Sequence, residues 1–305
     1  MANLPIVAVV GATASGKSDL ALDLAERLGG EVVNTDAMQV YRGMDIGTAK
    51  LPEAERRGVP HHLLDLLDVS EPAAVAQFQE WAHEVIEDCR SRGVVPVLVG
   101  GSALYTRAIL DVFEFPGTDP RVRSRYADRL AVEGPEALHA ELAAVDPAAA
   151  ADIIPTNGRR IVRALEVIAL TGGPFTATLP EATYRDPLTV QIGVDIDRAT
   201  LDRRIAQRVD AMWEAGLVDE VRSLVESGLR EGLTASRAIG YRQVLAFLDG
   251  ELTEEQAREQ TISGTRRFAR RQDSWFRKDL RIIWVDHDDP ERVDRALAAI
   301  DEIQR

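Results

Sequence analysis

The stretch Ile6-Val7-Ala8-Val9-Val10, followed at once by Gly11-Ala12-Thr13-Ala14-Ser15-Gly16-Lys17-Ser18, decides the fold class. A short β-branched run bounded by glycine reads as a buried strand. The next eight residues match G-x-x-x-x-G-K-[ST] in full. Glycine at either end of that loop lets the backbone turn tightly, so that its N–H groups point inward at phosphate oxygens. The Lys17 ammonium neutralises phosphate charge, and the Ser18 hydroxyl is suited to ligating Mg²⁺. Leu20, Ala21, Leu24, Ala25 and Leu28 then mark the apolar stripe of a helix, whose positive N-terminal end adds to the anion site. Gly29-Gly30 stop the helix, and Glu31 to Asn34 reads as a second strand.

Strand–loop–helix–strand is the opening of a doubly wound parallel sheet. The predicted fold is therefore α/β, a P-loop NTPase-like parallel sheet core, and the loop itself calls for a phosphorylated ligand. Downstream, Phe78 to Ser91 reads as a helix, Val94 to Val99 as a strand and Leu104 to Leu110 as a helix. Pro96 inside that strand predicts an edge position, because proline cannot donate to a ladder. From about Pro116 the composition turns to alanine, arginine and glutamate, with helices expected over Arg121 to Val132, Pro135 to Val145 and Asn157 to Leu170. Strand character returns at Gln191 to Ile196 and Ile282 to Val285, with a long helix over Glu254 to Lys278 between them. The expected organisation is a core of residues 1–115 and 191–305, interrupted by a helical insertion domain, residues 116–190.

Composition narrows the function. The chain has 305 residues, 45% apolar and 28% charged, which is ordinary for a globular protein. Its net charge of −14 opposes nucleic acid on average, so any RNA contact must come from local arginines. Seven basic residues stand against two acidic ones between Gly264 and Arg281, interleaved with Phe268, Trp275 and Phe276. That segment suits a diphosphate or an RNA backbone, or equally a solvated helix face over a core. A single cysteine, Cys89, makes no internal disulfide, and no Cys/His cluster is evident for zinc. The adjacent His61 and His62 are expected to diverge. No apolar run approaches a membrane span, and the apolar N-terminus lacks a basic flank, so the cytoplasm is the expected compartment.

Thr35-Asp36-Ala37-Met38-Gln39-Val40-Tyr41 follows the second strand, where the C-terminal strand ends of this topology line the ligand crevice. Asp36 is placed to act as a general base or to hold Mg²⁺ through water; the plainer role is a turn aspartate. Gln39 offers an amide that matches a base edge.

These motifs, with Gly43-Met44-Asp45-Ile46-Gly47-Thr48-Ala49-Lys50, Pro60-His61-His62-Leu63-Leu64-Asp65, Val99-Gly100-Gly101-Ser102-Ala103-Leu104-Tyr105, Arg163-Ala164-Leu165-Glu166, Gly240-Tyr241-Arg242-Gln243 and Arg270-Arg271-Gln272, resemble the successive signatures of bacterial tRNA dimethylallyltransferases. The resemblance runs from residue 6 to about residue 285, and Gly43 to Lys50 is more specific than the phosphate loop. It implies transfer of a dimethylallyl group from dimethylallyl diphosphate, with Mg²⁺, to the N6 amine of the adenosine 3′ of the anticodon in tRNAs reading U-starting codons. It also implies a target base flipped into a channel, with the helical insert gripping the anticodon stem-loop. Carried over by position, Asp36 is the general base, with Lys17 and Ser102 as the other catalytic groups. Gly11 to Ser18 and Arg208 bind the diphosphate, with Arg204 beside Arg208, and Ser18 holds the metal. Asp36, Ala37, Met38, Gln39, Ser102, Arg123, Arg159, Arg160 and Arg163 contact tRNA. The family more often has serine at position 37 and threonine at position 102, so a side-chain role for Ala37 is not expected. The zinc finger of some larger relatives is not expected with one cysteine, and a monomer is expected.

Other readings share parts of this pattern. A P-loop nucleoside or nucleotide kinase has the loop, Asp36 and an arginine-rich lid, and predicts ATP turnover without RNA. A nucleotide-dependent switch or RNA-binding module predicts binding without turnover.

Overall fold

The computed structural model describes residues 4–112, 115–175 and 181–305. The first residues of the apolar N-terminus, and residues 176–180 of the expected insert, lie outside it. Two compact units emerge, one of residues 1–112 and 182–305 and one of residues 113–181.

The larger unit opens as its sequence dictates. Strand β1 (Ile6–Val10) enters the phosphate loop, helix α1 (Lys17–Leu28) follows, and β2 (Gly30–Asn34) returns beside it. Gly29 caps α1 in the left-handed conformation, at φ 59°, and its N–H bonds the Ala25 carbonyl. Then come β3 (His61–His62), α2 (Val75–Ser91), β4 (Val95–Gly100) and α3 (Ala103–Leu110). All strands are parallel, in the order β3-β2-β4-β1-β5-β6, where β5 is Thr189–Asp195 and β6 is Ile282–Asp286.

β4 is an interior strand, which corrects the edge position expected from Pro96. The Val99 carbonyl accepts from Thr35 N–H, so the polar groups of Val99 face β2. Alternation along a parallel strand turns Pro96 toward β1, and the β1 ladder begins one residue later at Val7 and Val97. The missing N–H thus falls where no ladder bond is required.

Every residue of β1 is buried, with neighbours alternating between two cores. Ile6, Ala8 and Val10 join α2, α3 and the later helices α9 (Leu217–Glu226) and α10 (Tyr241–Leu248). Val7 and Val9 join α1 and the last helix, α12 (Arg292–Ile303). Two further helices, α8 (Arg198–Glu214) and α11 (Glu254–Phe276), pack Leu201, Ile205 and Ala269 against Ala12 and Ala14 of the phosphate loop.

The smaller unit holds α4 (Pro120–Glu133), α5 (Pro135–Val145), α6 (Pro147–Asp152) and α7 (Gly158–Thr171). Proline at the first position of α4, α5 and α6 fits the site where a missing N–H costs nothing. Tyr126, Leu138, Leu142, Ile161 and Leu165 make a core of their own.

Candidate functional site

The phosphate loop is held from several sides. Gly11 has φ 141° and Gly16 φ 98°, and a Cβ on Gly11 would sit 3.1 Å from the Val194 carbonyl. Ala14 also takes a left-handed φ of 65°. Lys17 Nζ donates to the Ala12 carbonyl at 2.6 Å. Thr13 N–H donates to Gln272 Oε1 at 2.9 Å, and Gln272 Nε2 donates to the Gly101 carbonyl at 2.8 Å. The buried Ser15 hydroxyl has no hydrogen-bond partner among the described residues. Burial, with the Arg208 guanidinium nearby, pushes the Lys17 ammonium down to about 7, and the Asp36 carboxylate partly opposes this. An anion in the loop raises it again, because opposite charge favours the charged form.

Asp36 is set by the end of β2. The Asn34 side chain accepts from Asp36 N–H at 2.8 Å and donates to the Asp36 and Leu63 carbonyls at 3.1 and 3.0 Å. Asp36 Oδ1 accepts the Met38 N–H at 2.9 Å. Burial pushes the Asp36 carboxyl up, while backbone N–H bonds and the Lys17 charge pull it back. A carboxylate with those opposed influences is poised to take a proton. Ser102 reaches the same turn: its Oγ accepts from Ala37 N–H at 3.4 Å. That contact uses the backbone of Ala37, so the methyl at position 37 loses nothing there.

The run Gly43 to Lys50 wraps the site from another side, clamped by Glu220, which sequence reading did not single out, and by Tyr241 of the Gly240–Gln243 signature. The Glu220 carboxylate accepts from the N–H groups of Asp45, Ile46 and Gly47 at 3.1, 2.7 and 3.2 Å, and from the Tyr241 hydroxyl at 2.6 Å. A Cβ on Gly47 would lie 2.5 Å from the Tyr241 ring. The buried Lys50 ammonium donates to the Tyr41 carbonyl and to Asp45 and Asp65, which ties this run to Pro60-Asp65. Gln39 Nε2 donates into the same run, to the Thr48 carbonyl at 3.1 Å.

These segments enclose a cavity of about 410 Å³. Thr13, Asp36, Ser102, Arg208, Arg237 and Arg271 are among the polar residues that line it, and Met38, Ile205, Val209, Met212 and Phe268 supply apolar wall. Ile205, Arg208, Val209 and Met212 recur at three- and four-residue spacing on α8, a stripe that the sequence offered and that went unread. Ser18 and Gln39 line a separate cavity of about 30 Å³ with Asn34, so they do not join the polar groups of the larger one. Of the arginines, Arg204 approaches the Ser15 carbonyl at 3.5 Å and His287 at 3.2 Å. Burial pushes Arg208 down from its ordinary value. The basic segment Gly264 to Arg281 is not one cationic face: beyond the end of α11, Arg277 pairs with Asp195 and Asp273, and Arg281 with Asp111 and Asp279.

A family model described as IPP transferase matches residues 39–279. The chain belongs to the IPP transferase family. A tRNA dimethylallyltransferase of Nocardioides sp. is 68% identical over 97% of this chain and 96% of its own. A second, from Thermobifida fusca, is 62% identical over 97% and 94%. Among solved structures, a tRNA isopentenylpyrophosphate transferase of Bacillus halodurans is 40% identical with a TM-score of 0.72, covering 98% of this chain and 96% of that one. A eukaryotic dimethylallyltransferase crystallised acting on tRNA is 28% identical with a TM-score of 0.83, covering 97% and 77%. The parallel sheet is therefore that of the IPP transferases, and the kinase reading is not favoured.

In this family member the helical unit carries arginines of two kinds. Arg159 and Arg160 are exposed at the start of α7. Arg163 donates to the Gly117 and Pro116 carbonyls and to Glu166, which is fully buried. Arg123 lies 3.9 Å from the same carboxylate. Their guanidinium groups thus also hold residues 116–119 against α7.

One expectation is corrected. Glu31, His62 and Cys89 bring ligand atoms within 4.8 Å of one another, although the sequence showed no Cys/His cluster. Pairing of β3 with β2 and docking of α2 unite residues distant in sequence. Arg92 grips the Glu31 carboxylate at 2.8 and 2.7 Å and holds it down at about 2. Burial pushes the Cys89 thiol up to about 11, so it stays protonated near neutrality. The cluster is already neutralised by protein. Among the described residues no helix is long and apolar enough to cross a membrane.

Proposed function

We propose that this chain transfers the dimethylallyl group of dimethylallyl diphosphate to the N6 amine of the adenosine 3′ of the anticodon, in tRNAs that read U-starting codons, releasing diphosphate. The observation that carries this is the cavity itself: base, hydroxyl and phosphate-loop residues open on one space with an apolar wall. The names of the relatives support the substrates.

In the reaction the N6–C1 bond forms as the C1–O bond to diphosphate breaks. The Asp36 carboxylate takes the N6 proton, and Ser102 orients the amine beside it. Lys17, Arg208 and those N–H groups of Gly11 to Ser18 that are not bonded within the protein, as Thr13 and Ser15 are, face the leaving diphosphate, where negative charge grows. The buried Ser15 hydroxyl adds a donor there. Met38, Val209 and Phe268 exclude water from the allylic carbon.

The residues fit Mg²⁺. Ser18 supplies an oxygen ligand at the first turn of α1, where the phosphate loop ends. Mg²⁺ takes few protein oxygens and keeps several waters. Bound there, Mg²⁺ would neutralise charge on the diphosphate oxygens.

The helical unit is the tRNA-binding insert in this reading, with Arg123, Arg159, Arg160 and Arg163 toward the anticodon stem-loop. Ala37 and Met38, which line the cavity, frame the target nucleotide. Flipping a base from a loop costs less than from a duplex. One chain supplies every group named, which suits a monomer, and a tRNA substrate suits the cytoplasm.

The test is mass-resolved nucleoside analysis after incubation with Mg²⁺, dimethylallyl diphosphate and unmodified tRNA. A prenylated adenosine that falls at least about 10²-fold with Asp36→Ala supports the reading. No product in any tRNA, with ATP consumed on small nucleosides, would overturn it.

A further inference from the structure

Gln272 sits in the arginine-rich part of α11, yet its side chain is buried, only 5% exposed. Its amide joins two segments that lie 259 and 171 residues away in sequence. Thr13 N–H can only donate and the Gly101 carbonyl can only accept, so the orientation of the amide is fixed by its partners. Glycine at position 101 makes room for it, since a Cβ there would lie 2.2 Å from Gln272 Nε2 and 3.3 Å from the Gly11 carbonyl.

The two ends of this bridge are the two halves of the site. Thr13 belongs to the loop that faces the leaving diphosphate. Gly101 immediately precedes Ser102, whose hydroxyl meets the Ala37 N–H beside Asp36. Hydrogen bonds from the phosphate loop through Gln272 to Gly101, the Gly101–Ser102 peptide bond and the Ser102 contact to Ala37 N–H therefore connect the loop to the turn that carries the base. Displacement at an allylic carbon needs nucleophile, carbon and leaving group at fixed spacing, and an error of about 1 Å can cost about 10²-fold in rate. The bridge also occupies the Thr13 N–H, which leaves the diphosphate to the rest of the loop and the start of α1.

We propose that Gln272 is a positioning residue, whose side-chain amide sets the distance between the diphosphate cradle and the acceptor side of the cavity. This rests on the transferase reading above and names how its two substrates are held in register.

The test uses Gln272→Glu and Gln272→Ala in the full chain, with kcat measured from about pH 8.5 to about pH 5.5 and melting followed in parallel. An ionised glutamate still accepts from Thr13 N–H but sets a carboxylate oxygen against the Gly101 carbonyl. A protonated one donates to that carbonyl and restores the bridge. The expected result is a loss of about 10²-fold in kcat for both variants at the alkaline end. The ratio of Gln272→Glu to the native enzyme then climbs at least about 10-fold toward acid, while the ratio for Gln272→Ala stays flat. Titration of Asp36 cancels in these ratios. A Gln272→Glu ratio that is flat with pH, or losses that merely follow the melting temperature, would overturn the proposal, as would kcat within about twofold of native for Gln272→Ala. If Gln272→Glu does not fold, Gly101→Ala replaces it. A Cβ there displaces the same amide and should reproduce the kcat loss of Gln272→Ala, with little further loss when the two are combined; full additivity would overturn the proposal. A native chain that makes no prenylated tRNA defeats the transferase reading instead, and is recognised by the absence of product in the reference reaction.

Discussion

Glu220→Ala should loosen the wall of the cavity by an amount that follows from its bonds. The carboxylate accepts three backbone N–H groups, at Asp45, Ile46 and Gly47, and the Tyr241 hydroxyl. The Asp45 bond is exposed, and water replaces it at little cost. The Ile46, Gly47 and Tyr241 bonds are part-buried, and each is worth about 1 kcal/mol net, so the clamp contributes about 3 kcal/mol. Opening of residues 45–47 breaks the Ile46 and Gly47 bonds but not the Tyr241 one, about 2 kcal/mol, so it should become about 30-fold more frequent. Amide hydrogen exchange reads that quantity at Asp45, Ile46 and Gly47 without requiring the whole chain to unfold in one step. Glu220→Gln keeps one carbonyl oxygen as acceptor and should give an intermediate effect. Tyr241→Phe, which removes one of the part-buried bonds and spares the rest, should cost about 1 kcal/mol. Gly47, Thr48 and Ala49 line the cavity, so kcat/KM should fall in the same order as protection. Exchange at those amides within about threefold of native in Glu220→Ala would refute the assignment of the clamp.

Lys17 predicts a proton linkage: its ammonium is depressed to about 7 in the free protein, and a diphosphate needs it charged, so inorganic pyrophosphate should bind with proton uptake above about pH 7 and weaken as pH rises further. Calorimetry in buffers of different ionisation enthalpy checks this, and absence of uptake at about pH 8 would count against it. Asp111 is fully buried between Arg107 and Arg281 just before the chain leaves the larger unit, so Asp111→Ala takes a buried carboxylate from both arginines, although Arg281 keeps Asp279, and should cost about 3 kcal/mol, seen as a lowered melting temperature. Arg159→Glu with Arg160→Glu should raise the KM for tRNA and flatten its salt dependence while leaving the KM for dimethylallyl diphosphate unchanged; an unchanged salt slope would remove these residues from the RNA interface.

The elements that were legible are those whose signal is local. The β-branched run Ile6–Val10, the glycine-bounded loop and the stripe on α1 each announce themselves within a dozen residues, and Pro135–Val145 forms a helix over its expected span. Pro96 misled because the cost of a missing N–H depends on which neighbour it faces, and that is a property of register rather than of the strand alone. The Glu31, His62 and Cys89 cluster escaped for a related reason, since parallel pairing and helix docking unite residues that no spacing rule connects. The apolar wall was half legible: the α8 stripe was present in sequence, but Met38 and Phe268 come from other segments.

The most specific signature in the sequence, Gly43 to Lys50, proves to be largely self-binding. Lys50 spends its charge on Asp45 and Asp65, Thr48 Oγ1 donates to the Met44 carbonyl at 2.6 Å, and the N–H groups from 45 to 47 are spent on Glu220. Gln39, which read as a partner for a base edge, has its amide nitrogen turned into the same run. Gly47 is required because Tyr241 leaves no space for a side chain. A distinctive signature therefore need not place its polar side chains on substrate to be tied to one reaction. Here it builds a rigid surface whose backbone at 47–49 faces the cavity, and its chemistry is spent holding that backbone in place. Asp36 and the phosphate loop can then be few and simple, because the distance between them is fixed by Gln272 on one side and this clamped run on the other.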